Sequence, residues 1–354
     1  VNRLSCKGQR RSRMGFAAVL ALLSTLSAAS APSPPAPMTY VALGDSLTAG
    51  FQSGGLTAED QREAYPAVIA QLARIPFGVP AGGGPGCPPP LGAAGLSAAS
   101  CLRLDPAVRG SNFAVPGAKV ADLLSRSAKN AGDDLTRRLY TLILGPDQTQ
   151  VQAALKSKPR FVSLWIGSND VLNAAASGDL NQATSPHDFE AAYRQLLSAL
   201  APAKAQLLLL TVPDVTTAPV LVAGQLLYGY GLADVSCQHS PNKVAATWVI
   251  THAPVSCGAP YALTPAKLAA LQQIVAAYNA SIHRLAQERG LPVFDVAPLL
   301  AGLQRPDPNP ASPQPFGPDF SQDGVHPSAQ TQVKLARAIV TFGNAELKLG
   351  VALP

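Results

Sequence analysis

Charge is scarce in this chain of 354 residues: Asp, Glu, Lys and Arg together make up 14% of it. The net charge of +6 invites a nucleic-acid reading, but the distribution excludes one. Arg3, Lys7, Arg10, Arg11 and Arg13 are five of the 27 basic residues, and they all precede residue 32 with no acid among them. Without them the balance against 21 acidic residues is near neutral. No C-x-x-C pair occurs, which weighs against a cysteine metal site. No repeat at solenoid period is present, and beyond residue 26 no run is long and apolar enough to span a membrane.

What the chain does have is apolar residues, at 47%, enough for a sizeable core. Its first 31 residues have the three parts of a secretory signal: basic residues 3 to 13, an apolar run from Met14 to Leu26, and the small-residue site Ala29-Ser30-Ala31. Cleavage is expected after Ala31, with residues 32–37 a Pro-rich linker and residues 38–354 one domain. A retained anchor needs about 20 apolar residues, more than this run supplies. The mature protein is therefore expected to be secreted, periplasmic or at the cell surface, without a stable membrane anchor.

Export leaves four of the five cysteines in an oxidising compartment. Cys87 and Cys101 flank one Pro/Gly-rich segment and Cys237 and Cys257 another, so the simplest of three connectivities joins each local pair. The corresponding irregular segments, about 76–110 and 219–262, read as stapled loop insertions.

Apolar runs near residues 39, 111, 161, 207 and 292 read as strands, each followed by a helical pattern. That alternation predicts an α/β fold with a five-stranded parallel sheet covered on both faces. Thr57 is expected to cap a helix that includes residues 65–74, Ser185 one over 187–200, and Thr264-Pro265 the longest, through Arg289. A closing helix is expected over 328–342.

Ser46 follows the first strand, between Gly44 and Gly50, where open α/β sheets bind ligands. A serine hydroxyl needs an adjacent base, and the base a carboxylate to hold its tautomer. His326 and Asp323 fit these roles, because their i, i+3 spacing lets the carboxylate reach Nδ1 while Nε2 faces the serine. A developing oxyanion needs donors, and three are candidates: the N–H of Ser46, the N–H of Gly117 and the side-chain amide of Asn169.

Four blocks carry these residues in order: G-D-S-L-T at 44–48, N-F-A-V-P-G at 112–117, G-S-N-D at 167–170 and D-G-V-H at 323–326. In them the chain resembles the GDSL, or SGNH, hydrolases. The resemblance implies Ser46 as nucleophile, Gly117 and Asn169 in the oxyanion hole, and Asp323 and His326 completing the triad. It also implies a flavodoxin-like three-layer α/β/α sandwich with strand order 2-1-3-4-5, and ester hydrolysis with no metal or other cofactor. No G-x-S-x-G is present, so the α/β-hydrolase elbow is not supported.

Other readings stand beside these. Ser46 also suits a helix cap, and Asp323 an ordinary turn. Asp45 reads as a structural acceptor of backbone N–H bonds, and Asp170 as support for its own turn. His187, His239, His252 and His283 lack metal-ligand spacing, Trp165 reads as core, and Tyr228 and Tyr230 divide evenly between loop packing and a binding wall. The expected activity is that of a secreted serine esterase or lipase acting on a small-molecule, lipid or acylated-carbohydrate ester. The alternatives are a carbohydrate acetyl esterase and a non-catalytic carbohydrate- or surface-binding protein of the same fold. A base with an ordinary histidine pKa places the loss of activity near pH 6.5.

Overall fold

The computed structural model describes residues 39–91, 101–246 and 254–353. The expected leader, its cleavage point, the linker and His252 lie outside these residues. Among the described residues six strands occur: β1 (Tyr40–Gly44), β2 (Phe161–Trp165), β3 (Gln206–Leu210), β4 (Leu221–Ala223), β5 (Lys243–Ala245) and β6 (Val293–Phe294). Four of them form a parallel sheet in the order β1-β2-β3-β6, with Tyr40 opposite Phe161, Phe161 opposite Gln206 and Leu209 opposite Val293.

Every residue of β1 and β2 is buried, because both faces of the sheet are covered. Alternate side chains feed two cores. Val41, Leu43, Val162, Leu164, Leu207 and Leu209 pack on one face with helices Pro186–Leu200 and Pro265–Gln287. Tyr40, Ala42, Phe161, Trp165, Leu208 and Leu210 pack on the other with helices Tyr65–Ala73 and Ala329–Leu347.

The expected fifth strand is only partly realised. Residues 111–115 run along the outer edge of β1, bonded from Ala42 N–H to Ser111 O (2.9 Å), from Phe113 N–H to Ala42 O (2.9 Å) and from Val115 N–H to Gly44 O (3.2 Å). The ladder is interrupted because the Gly44 N–H donates instead to Gln150 Oε1 at 3.1 Å, while Gln150 Nε2 donates to Gly44 O. A single bridge, Ala42 with Asn112, is what remains of the pairing. The edge segment, β1, β2, β3 and β6 thus lie side by side in that order, and of the five expected strands the one at 111 is a bridged segment and not a regular strand.

Helix ends follow the local chemistry. Thr57, Ser185 and Thr264 each accept a backbone N–H as N-caps. The helix expected from Thr57 through residue 74 is two helices, Ala58–Glu63 and Tyr65–Ala73. Ala64 between them is extended (ψ 143°), Pro66 opens the second helix, and the Tyr65 N–H goes to Gln332 Oε1. The segment 219–262 is less irregular than its composition implies, since β4 and β5 pair antiparallel and helix Gly224–Gly229 follows β4. Both local disulfides, Cys87–Cys101 and Cys237–Cys257, are present. Among the described residues, no helix is long and apolar enough to cross a membrane.

Candidate active site

β1 ends at Gly44, whose φ of +156° and surroundings exclude a side chain: a Cβ would lie 2.2 Å from Trp165 O. The chain turns there into the short helix Ser46–Ala49, capped by Asp45, whose carboxylate accepts the Leu47 N–H at 3.0 Å. Ser46 is thereby fixed at the carboxyl edge of the sheet, 8% exposed.

His326 arrives from the far end of the sequence, just before helix Ala329–Leu347. Its Nε2 lies 2.9 Å from Ser46 Oγ and its Nδ1 lies 2.9 Å from Asp323 Oδ2. The imidazole also rests against the Phe51 ring, with centroids 5.0 Å apart. The turn that brings Asp323 and His326 together contains Gly324 at φ +65°, where a Cβ would lie 2.7 Å from the Phe316 ring. Asp323 is held by five donors. Oδ1 accepts the N–H groups of Val325 and His326, each at 2.9 Å, and the Ser321 hydroxyl at 3.0 Å. Oδ2 accepts the Gly54 N–H at 2.8 Å as well as facing the imidazole.

The expected oxyanion donors stand on neighbouring segments. Val115 N–H is bonded to Gly44 O and Asn169 Nδ2 donates to Ala118 O at 3.1 Å, so Gly117 lies between two points anchored to the same edge. Among the described residues nothing accepts the N–H of Ser46 or of Gly117. Asn169 opens helix Asn169–Ser177 and is 9% exposed. Asp170 reaches beyond its own turn: its carboxylate accepts the Val120 N–H at 3.0 Å and the Thr184 hydroxyl at 2.8 Å.

The model of GDSL-like lipases and acylhydrolases matches residues 40–339, most of the chain. The chain belongs to that family. Solved structures similar to this GDSL acylhydrolase include a catalytic mutant of Axe2, an acetylxylan esterase from Geobacillus stearothermophilus, at 15% identity, covering 85% of this chain and 92% of the other with a TM-score of 0.42. A putative lipolytic protein of the G-D-S-L family from Desulfitobacterium hafniense is 11% identical over 86% and 99% of the two chains, with a TM-score of 0.41. An α/β hydrolase enzyme from the metagenome of Lake Arreo, Spain, is 17% identical over 85% and 93%, with a TM-score of 0.40. Such scores carry no argument about substrate. No curated protein matches.

The charges of the acylhydrolase site are interdependent. Burial would lift the Asp323 carboxyl, but the His326 charge and the donors around it prevail and hold it well below the usual carboxylate range. Burial pulls the His326 imidazolium down, yet the adjacent Asp323 carboxylate and the Asp45 charge outweigh that, so its pKa rises above 6.5. This corrects the ordinary value expected of an isolated histidine. Asp45, fully buried, is pushed up to about 7, first by desolvation and further by the Asp170 charge, against the Leu47 N–H and the His326 charge. Among the described residues its Oδ2 makes no hydrogen bond of ordinary geometry, and the nearby Ser168 hydroxyl only slightly counters the rise.

An open pocket of about 630 Å³ of empty space adjoins Ser46 and His326, walled by Leu172, Pro213, Val215, Leu300 and Phe320 among others. Tyr228 and Tyr230 do not line it: Tyr228 packs against the core of the second stapled segment and Tyr230 is exposed. Trp165 is buried in the core and also closes the pocket floor. His187, His239 and His283 are exposed. Among the described residues no three His, Cys, Asp or Glu side chains gather as metal ligands would. Ser53, Gly54 and Ser321, which clamp Asp323, escaped the sequence reading because residues 53–54 and 321–323 bond across nearly the whole chain.

Proposed function

We propose that this family member is a secreted serine hydrolase that cleaves carboxylic esters through an acyl-enzyme intermediate. The observation that carries the reading is the continuous line from Ser46 Oγ to His326 Nε2 and from His326 Nδ1 to Asp323 Oδ2, each at 2.9 Å. His326 Nε2 takes the Ser46 proton as Oγ bonds to the ester carbonyl carbon, and Asp323 stabilises the imidazolium that results. The negative carbonyl oxygen is received by the N–H groups of Ser46 and Gly117 and the amide of Asn169. Collapse breaks the bond to the alcohol oxygen, which takes the proton from Nε2 and leaves; water then gives a proton to Nε2 as its oxygen bonds to the acyl carbon, and the bond to Ser46 Oγ breaks as Oγ takes that proton back, releasing the carboxylic acid.

The apolar wall beside Ser46 favours an acyl or alcohol portion with hydrocarbon character over a purely acetyl or sugar substrate. Two disulfides suit an oxidising compartment, in keeping with the expected leader. The test compares the purified protein with Ser46→Ala on p-nitrophenyl esters of two, four, eight and sixteen carbons. Turnover that vanishes in the variant, with an optimum above two carbons, is the expected outcome. Equal inertness of both folded proteins on every ester, polysaccharide acetyl esters included, would favour the non-catalytic binding protein.

A further inference from the structure

The pocket beside Ser46 is mostly apolar, yet Arg305 lines it, the one Lys or Arg to do so among the described residues. Its guanidinium carbon lies 5.4 Å from the centre of the Phe320 ring, which is itself 7% exposed and part of the same wall. The segment that carries it is anchored on both sides. Gln304 N–H donates to Asp319 Oδ2 at 2.8 Å, and Pro306 packs so closely on Gly317 that a Cβ there would come within 2.7 Å of its ring.

No acid in the surroundings takes up the guanidinium. Asp319 gives its Oδ1 to Lys334, Thr331 and Gln330 and its Oδ2 to Gln304 N–H. Asp214, the acid on the pocket wall, accepts the Thr216 N–H and hydroxyl on Oδ1 and Gln272 Nε2 on Oδ2. Among the described residues Arg305 has no ion pair within 4.0 Å, and its hydrogen bond is a long one, from Nη1 to Leu303 O at 3.5 Å. Arg305 is exposed overall, and partial burial still lowers its pKa, with the Asp319 charge offsetting only part of that loss. A planar, partly desolvated cation whose hydrogen-bond donors are largely unused is suited to bidentate capture of an oxyanion.

We infer that Arg305 determines specificity by pairing with a carboxylate or phosphate carried on the ester substrate, while the apolar wall holds the hydrocarbon that links that anion to the scissile ester. The inference rests on the esterase reading above and narrows it to anionic esters. The covalent chemistry is unchanged, since Arg305 forms an ion pair and exchanges no proton.

The test measures kcat/KM of the wild type, Arg305→Met and Arg305→Lys on anionic esters matched to neutral ones. 4-Nitrophenyl hydrogen glutarate against 4-nitrophenyl valerate places a carboxylate on the acyl side. 4-Butyryloxybenzoate and 4-butyryloxyphenyl phosphate, each against 4-methylphenyl butyrate, place a carboxylate or a phosphate on the alcohol side. Methionine keeps an apolar stem over Phe320 and removes the charge. For at least one anionic ester the anionic-to-neutral ratio is expected to fall about ten- to a hundredfold in Arg305→Met, the range for a hydrogen-bonded charge, with Arg305→Lys in between. The ester that responds identifies the anion and its side of the substrate. Ratios that stay the same in both variants, with neutral esters still turned over by Ser46, overturn the role of Arg305 and leave the esterase reading intact. Inertness of the wild type on every ester overturns both.

Discussion

The two disulfide-stapled segments look alike in composition but are fastened to the molecule by different physics. Among its described residues the first has almost no regular structure; its Cys87–Cys101 pair is buried in the main core, and hydrogen bonds fasten the chain around it. Leu91 N–H donates to Ser53 O, Cys87 N–H to Leu56 O and Leu56 N–H to Pro88 O. Arg103 donates to the carbonyls of Leu142 and Ile143 at the end of helix Asp134–Leu144. The second has a core of its own, in which Val222, Leu227, Val244 and the Cys237–Cys257 pair pack with Phe316 and Phe320. One backbone bond, Val220 N–H to Gly324 O, ties it to the turn of Asp323 and His326. The first segment thus braces the loop whose Gly54 N–H holds Asp323, and the second braces the pocket wall and the turn itself. Two loops of the same kind thus bear on one acid, the first mainly through polar contacts to its donor loop and the second mainly through a core of its own.

Removing the group on which both segments converge has the largest expected effect. Asp323→Asn keeps the size of the side chain but removes the charge that orients His326, and kcat on a p-nitrophenyl ester is expected to fall by about 10⁴. A loss under tenfold would mean that neither segment has an acid to steady, and that backbone contacts alone hold the imidazole.

Separating the disulfides comes next. Closing loops of 14 and 20 residues stabilises each segment by about 3 kcal/mol of chain entropy, so both double Cys→Ser variants should lose similar melting temperature. Their kinetics should differ. Loss of Cys87–Cys101 loosens Ser53 and Gly54 and is expected to lower kcat, whereas loss of Cys237–Cys257 loosens Phe320 and is expected to raise KM for apolar esters. If both variants change the same constant equally, the distinction between polar and packing support fails.

How much of this was legible in the chain depends on distance along it. β1, β2 and β3 are short apolar runs closed by glycine or proline, and Thr57, Ser185 and Thr264 are caps whose partners lie three residues away, so local chemistry sufficed. That Ser46, Asp323 and His326 come together was legible because each lies in a short block whose residue types have few other uses together. The fifth strand was overread because Gln150, a side chain from a distant helix, takes the Gly44 N–H that the ladder needed. The β4–β5 ribbon hid in a segment rich in Gly and Pro, since three-residue strands leave too little alternation to detect. The clamp on Asp323 joins residues 269 apart, and no local pattern announces such a bond.

That clamp predicts a smaller effect. Ser321→Ala removes one of the donors to Asp323 Oδ1 and the acceptor of the Ser53 N–H, cutting one polar link to the loop at 53–54 and leaving the Gly54 N–H on Oδ2. The expected result is a fall of about tenfold in kcat with KM unchanged, the scale of one hydrogen bond to a charged group, and recovery in Ser321→Thr. A variant that lost stability with no change in kcat would make the bond structural only.

The smallest effect concerns Asp45, which has no hydrogen bond to either segment among the described residues and so serves as the reference for both. In the proposed mechanism His326 must be neutral to accept the Ser46 proton, and its raised pKa means the imidazolium persists to higher pH than in a free histidine. The acid limb of kcat/KM is therefore expected with its midpoint above pH 6.5, activity rising as pH increases through it. Asp45 contributes to that shift, but less than Asp323 does, because its charge acts through space without a hydrogen bond to the imidazole. Asp45→Asn keeps an acceptor for the Leu47 N–H and removes the charge, so the limb should move to lower pH by a fraction of a unit with the plateau rate near wild type. A limb that stays in place would show that the Asp45 charge does not reach His326. A collapse of the plateau comparable to that of Asp323→Asn would mean that the acid preceding the nucleophile shares the work assigned to the one beside the base.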